Sequence, residues 1–161
     1  GAEYEVLGVY SKDLLERYAH AAKELGAKRV MVVASEDGYD EISPCAVTHV
    51  FQINEDGKEF RYIIDPTKFG IADIDAKDLE GGSAVDNAAM AVEVLQGHGR
   101  KAVREAVALN TGALLYISGK SRTILEGYKT ALEAMDSGKA LAKFEQIKKE
   151  SNSPAPVPSA A

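Results

Sequence analysis

Four carboxylates crowd the six-residue stretch Glu36-Asp37-Gly38-Tyr39-Asp40-Glu41. Neighbouring carboxylates suit a hard cation such as Mg2+, which takes one or two of them and completes its shell with waters and phosphate oxygens. Gly38 lets such a loop turn sharply. The stretch follows the apolar run 30–34 directly, and in open α/β sheets ligands gather beyond the carboxyl ends of the strands. The Asp/Asn spacing and terminal Glu of an EF-hand loop are absent. The competing reading is a solvated acidic loop, a common surface feature.

Other reactive residue types read as structural. His20, His49 and His98 are scattered, with no His-x-x-x-His spacing, so zinc is not expected. Cys45, the only cysteine, follows Pro44 close to the acidic stretch. Negative neighbours raise a thiol pKa, which argues against a nucleophile. A lone cysteine forms no internal disulfide and suits a reducing compartment. Gly119-Lys120-Ser121 imitates the end of a phosphate-binding loop, but Leu114 stands where the upstream glycine belongs and no strand precedes it. Asn87 and Asn110 fall within helices, where an amide most often satisfies backbone groups or fixes packing.

The elements that must position these residues follow from periodicity. Residues 4–10 read as a strand. Residues 12–25 read as a helix capped by Ser11 and stopped by Gly26, with Leu14, Leu15, Tyr18, Ala22 and Leu25 on its apolar face. Residues 30–34 are a continuous apolar run, as in a strand covered on both faces. Together they predict a βαβ unit. Residues 46–53 and 59–64 predict a hairpin around Asn54-Glu55-Asp56-Gly57, ended by Pro66. The chain turns helical from residue 73. Ser83 caps a helix to about Leu95, with Val85, Ala88, Ala89, Val92 and Leu95 on one face. Further helices are expected over 101–118, over 122–136 with Ile124, Leu125, Tyr128, Leu132 and Met135 inward, and over 139–149 through Leu141, Phe144 and Ile147. Glycines follow most of these runs. The fold class is therefore α/β: a partial, mostly parallel sheet with a β-hairpin, then a helical C-terminal half. Residues 1–150 read as one domain. Residues 151–161, holding three of the five prolines, read as a disordered tail or linker.

Composition sets the outer bounds. With 161 residues, 45% apolar and 27% charged, the chain has the makeup of a globular domain. A net charge of −6 argues against nucleic acid as the main partner. No apolar run is long enough to span a bilayer, so a membrane is not expected either. Neither is a secretory leader visible, which points to the cytoplasm.

Taken together, the segments resemble a known family. Leu7-Gly8-Val9-Tyr10, Arg29-Val30-Met31-Val32-Val33 and Asp37-Gly38-Tyr39-Asp40-Glu41-Ile42-Ser43 are collinear with anthranilate phosphoribosyltransferases. So are Phe69-Gly70, Leu79-Glu80-Gly81-Gly82 with Asn87-Ala88, Ala106-Val107-Ala108-Leu109-Asn110, Ala113-Leu114-Leu115-Tyr116 and Asp136-Ser137-Gly138-Lys139-Ala140-Leu141. The resemblance spans about residues 4–145 and implies a fold of the nucleoside phosphorylase/phosphoribosyltransferase-like α/β type. It implies transfer of a phosphoribosyl group from phosphoribosyl pyrophosphate (PRPP) to anthranilate in tryptophan biosynthesis. The family's Asp-Glu pair falls on Asp40 and Glu41, which the resemblance assigns to Mg2+. Glu36 and Asp37 receive no such role.

The family's Gly-Thr-Gly-Gly-Asp loop, its Lys-His-Gly-Asn segment and its anthranilate-binding arginine have no counterpart here. All three lie upstream of the matched region in the family. The expectation is a C-terminal portion, inactive alone, of a protein that is a homodimer at full length. Two alternatives stay open: a pyrimidine nucleoside phosphorylase-like relative with another acceptor, and a non-catalytic docking domain.

Overall fold

A computed structural model describes residues 2–152. Four strands form one sheet in the order β1-β2-β3-β4: β1 Tyr4–Gly8, β2 Arg29–Ser35, β3 Thr48–Ile53 and β4 Glu59–Ile64. Five α-helices follow in chain order: α1 Leu15–Glu24, α2 Ala84–Leu95, α3 Lys101–Ile117, α4 Ile124–Asp136 and α5 Lys139–Ser151. The expected tail lies outside the described residues from 153 on, and Ser151 still belongs to α5.

The βαβ unit forms as its sequence predicts. β1 pairs parallel with β2, and α1 connects them after a 3-10 turn at Lys12–Leu14. Ser11 caps that turn, its hydroxyl accepting from the Asp13 N–H. The expectation of a mostly parallel sheet is not met: β2–β3 and β3–β4 are both antiparallel. Residues 36–47 carry no crossover helix, and without one the chain returns beside β2 in the opposite direction. The Asn54–Gly57 hairpin forms as expected, with the Gly57 N–H donating to the Asn54 carbonyl and Gly57 at φ 77°.

β2 is buried along nearly its whole length because the sheet is covered on both faces. Val30, Val32 and Ala34 face α1 with Phe51 and Ile53; Met31 and Val33 face the C-terminal helices with Val50 and Ile64. This alternation turns a continuous apolar run into two cores, each buried Val, Ile, Met or Phe side chain contributing about 1.5–3 kcal/mol. α3 and α4 cross at close range. A Cβ on Gly112 would stand 2.6 Å from the Tyr128 nitrogen, and one on Gly127 would stand 2.5 Å from the Gly112 carbonyl oxygen. Only glycine permits that approach.

Several helix faces differ from their expected form. In α1 the buried stripe is Leu15, Ala19 and Ala22, while Tyr18 and Leu25 are exposed. Small alanines let α1 sit close to the sheet, and the larger Tyr18 is turned out. Leu125 in α4 is exposed, as are Phe144 and Ile147 in α5, which buries none of its residues. In α2 only Val94 is buried, and Val85 is 78% exposed. α2 therefore walls an open groove, through Asn87, Met90 and Ala91, instead of burying a full face in a core.

Candidate functional site

The acidic stretch leaves the carboxyl end of β2, where the sequence places it. The Ser35 N–H donates to the Tyr39 carbonyl, and the Gly38 N–H donates to the Ser35 carbonyl. Gly38 sits at φ 89°, the left-handed conformation that this tight return requires. The four carboxylates then part company. Glu36 pairs with His49 at 2.9 Å, and Asp37 accepts from the Ser43 hydroxyl at 2.6 Å. Ser43 is buried, and its hydroxyl oxygen also accepts from the Cys45 N–H at 3.0 Å. Glu36 and Asp37 thus hold the loop together. Asp40 and Glu41 are exposed, and among the described residues neither carboxylate has a hydrogen bond or ion pair.

Two neighbours fix the backbone beneath this pair. Gly8, at the end of β1, lies against Asp40 so closely that a Cβ would overlap the Asp40 carbonyl oxygen. Asn110 reaches from α3 to the residue after Glu41. Its Oδ1 accepts from the Ile42 N–H at 3.0 Å, and its Nδ2 donates to the Ile42 carbonyl at 2.9 Å and to the Ala106 carbonyl at 2.9 Å. The Ile42 side chain is buried in the core. The pair is therefore carried on a loop pinned from two sides.

Asn87 clamps a second loop in the same manner. Its Oδ1 accepts from the Gly82 N–H at 2.8 Å, and its Nδ2 faces the Gly82 carbonyl at 3.3 Å. Ser83 and Asp86 complete a capping box at the start of α2. The two clamped loops border one groove of about 650 Å3, lined by Glu41, Ile42, Leu79, Met90, Val103 and Leu114 among others. The groove is mainly apolar, and it opens beside Glu41.

The sequence reading of both asparagines as backbone-satisfying residues agrees with this geometry. What it misses is which backbone they satisfy. Gly8 likewise draws no attention as a contact, although a glycine inside a strand is the usual sign of close backbone approach. Cys45 is half-buried, and burial together with the Asp37 charge pushes its thiol up, against a smaller lowering by Ser43. Among the described residues no three His, Cys, Asp or Glu side chains gather into a metal cage. A cation here would rest on the Asp40–Glu41 pair and on donors brought by its ligand. Two free oxygen-donor carboxylates fit Mg2+, which binds few protein groups and keeps waters and phosphates.

The site is thus an unpaired acidic pair, among the described residues, at the carboxyl end of β2 in a mixed sheet flanked by helices. Residues 1–141 match the family described as the glycosyl transferase family, a/b domain, and the chain belongs to that family. Its relatives point one step further. The chain is 41% identical over 143 residues to an anthranilate phosphoribosyltransferase of Clostridium kluyveri, covering 89% of this chain and 42% of that protein. It is 40% identical over 149 residues to that of Desulfitobacterium hafniense, covering 92% and 44%. Among solved structures, the anthranilate phosphoribosyltransferase of Thermus thermophilus superposes with a TM-score of 0.75 at 32% identity, over 90% of this chain and 42% of that one. The Saccharomyces cerevisiae enzyme in complex with PRPP and Mg gives 0.75 at 31%, over 87% and 40%. The chain thus spans less than half the length of these relatives, and the resemblance read from its motifs is borne out. No helix among the described residues is long and apolar enough to cross a membrane.

Proposed function

We propose that this chain is the metal-carrying C-terminal portion of a protein that transfers a phosphoribosyl group from PRPP to anthranilate in tryptophan biosynthesis. One observation carries the reading. Of the four carboxylates on the β2–β3 loop, two are consumed in holding the loop, while Asp40 and Glu41 are left exposed and unpartnered among the described residues. Support comes from the anthranilate phosphoribosyltransferases it matches and from the yeast relative's complex with PRPP and Mg.

Breaking the anomeric carbon–oxygen bond of PRPP leaves negative charge on the departing pyrophosphate. Mg2+, when bound, supplies the opposing charge. Asp40 and Glu41 hold the cation; neither serves as nucleophile or base. Gly8 and Asn110 fix the backbone from which the pair projects. Residues 1–150 form the C-terminal portion of the α/β domain. The remainder of the protein supplies the phosphate and anthranilate contacts and covers the apolar groove. The full-length protein is a cytoplasmic homodimer.

The test is transferase activity of the complete protein, followed as loss of anthranilate fluorescence with PRPP and Mg2+. Consumption by the complete protein and none by the 161-residue chain is the expected result. No consumption by the complete protein overturns the reading, and turnover by the shorter chain overturns the division of labour.

A further inference from the structure

We infer that Asn110 is a positioning residue for the cation pair: its amide sets the loop geometry that lets Asp40 and Glu41 bind together. The inference rests on the metal reading above and extends it to a residue whose amide is spent on backbone groups. Asn110 sits on α3, 68 positions from Ile42, yet forms a two-point, peptide-like pairing with the Ile42 backbone at 3.0 and 2.9 Å. Its third bond, to the Ala106 carbonyl, locks the amide's orientation on the helix. Ile42 directly follows Glu41, and its buried side chain gives the clamp a rigid base.

Purely structural satisfaction would ask less of this residue. The loop already has the Asp37–Ser43 bond, the Ser35–Tyr39 backbone bond and the Ser43 N–H bond to the Thr48 hydroxyl at 3.2 Å. Those contacts tie down both ends of the stretch. Among the described residues, Asn110 alone bonds the Ile42 backbone at its last step, between the pair and the core. Two exposed carboxylates have no preferred arrangement of their own, and a cation gains affinity when their backbone is already fixed.

The test uses the 161-residue chain with Mn2+ and inorganic pyrophosphate together as the probe, the pyrophosphate supplying the phosphate oxygens that complete the cation's shell. Asn110→Leu keeps the size of the side chain and removes both bonds to Ile42. Ile53→Ala serves as a control, because Ile53 is buried in the other core, on the α1 face of the sheet, and pairs with Val30 at the end of β2 away from the loop. Two readouts are taken by NMR: the heteronuclear NOE of the Asp40, Glu41 and Ile42 amides, and paramagnetic broadening of the same amides by Mn2+. Expected is a drop in the NOE at these three positions and a roughly tenfold weaker Mn2+ titration in Asn110→Leu. Ile53→Ala lowers Tm and changes neither readout. Wild-type titration in Asn110→Leu overturns the inference and leaves the metal reading standing, as does an unchanged NOE. Absence of Mn2+ broadening at Asp40 and Glu41 in the wild-type chain overturns the metal reading, and the inference falls with it.

Discussion

Gly8 and Asp40 meet backbone to backbone: the end of β1 carries no side chain where the acidic loop crosses it, and a Cβ there would overlap the Asp40 carbonyl. A short strand thereby sets the height of a loop that starts from its neighbour. Gly8→Ala must displace one of the two. Overpacking of this kind costs about 1–3 kcal/mol. The expected outcome is a lower urea midpoint together with shifted amide resonances at Asp40 and Glu41. Unchanged resonances at those positions would mean the loop is set by other contacts.

The α3–α4 crossing makes a second steric claim. Gly127→Ala places a methyl 2.5 Å from the Gly112 carbonyl oxygen and 2.8 Å from the Ser121 hydroxyl. Two packed helices must part to admit it. The expected loss is about 1–3 kcal/mol, seen as a Tm lower by roughly 2–4 °C per kcal/mol for a chain of this size. Gly26→Ala is no equivalent comparison, because Gly26 has open space around it and its cost comes from φ 103° alone.

Acid sensitivity follows from Arg104 and Asp136. The guanidinium of Arg104 bonds both carboxylate oxygens, at 2.6 and 2.9 Å, and also the Gly97 carbonyl. These bonds hold the Asp136 carboxyl below its usual range, with desolvation opposing. Because the folded pKa is depressed, the contribution is complete above the unfolded carboxylate pKa of about 4 and is lost as pH falls through the folded value. Asp136→Asn should lower stability at pH 7 and flatten the acid limb of the Tm-against-pH curve. Parallel curves for the two proteins would show that the pair does not contribute to that limb.

Cys45 should react slowly. Burial is the main reason its thiol is pushed up, with Asp37 adding to it. The thiolate is the nucleophile, so alkylation by iodoacetamide at about pH 7.5 should lag well behind that of a free thiol and accelerate above about pH 9. Rapid labelling at neutral pH would contradict this placement of the side chain.

Local chemistry makes much of this architecture legible in the sequence. Asp56-Gly57 marks the hairpin, Ser83 with Asp86 marks the start of α2, and the uninterrupted Val30–Ala34 run announces a strand covered twice. The direction of β3 is not local: it depends on whether residues 36–47 hold a helix. The inward face of α1 follows the close fit of Ala19 against the sheet, which hydrophobicity alone does not rank above Tyr18. At the site, the motif marks Asp40 and Glu41, but their supports are distant in sequence. Nothing in the spacing of Asn110 ties it to Ile42, and Gly8 signals a close backbone approach without telling which loop makes it. The groove beside α2 escapes notice for a related reason, since its apolar residues have the same periodicity as a buried face.

The most direct measurement is the Mg2+ dependence of PRPP binding to the complete protein, by calorimetry, for the wild type and the double variant Asp40→Asn, Glu41→Gln. Both side chains are exposed and have no partner among the described residues, so the double variant should keep its stability within about 0.5 kcal/mol. The wild type should bind PRPP more tightly as Mg2+ is added, and the double variant should lose most of that gain. Equal Mg2+-dependent binding by the two proteins would show that the metal is held elsewhere, and that this acidic pair is only a solvated loop.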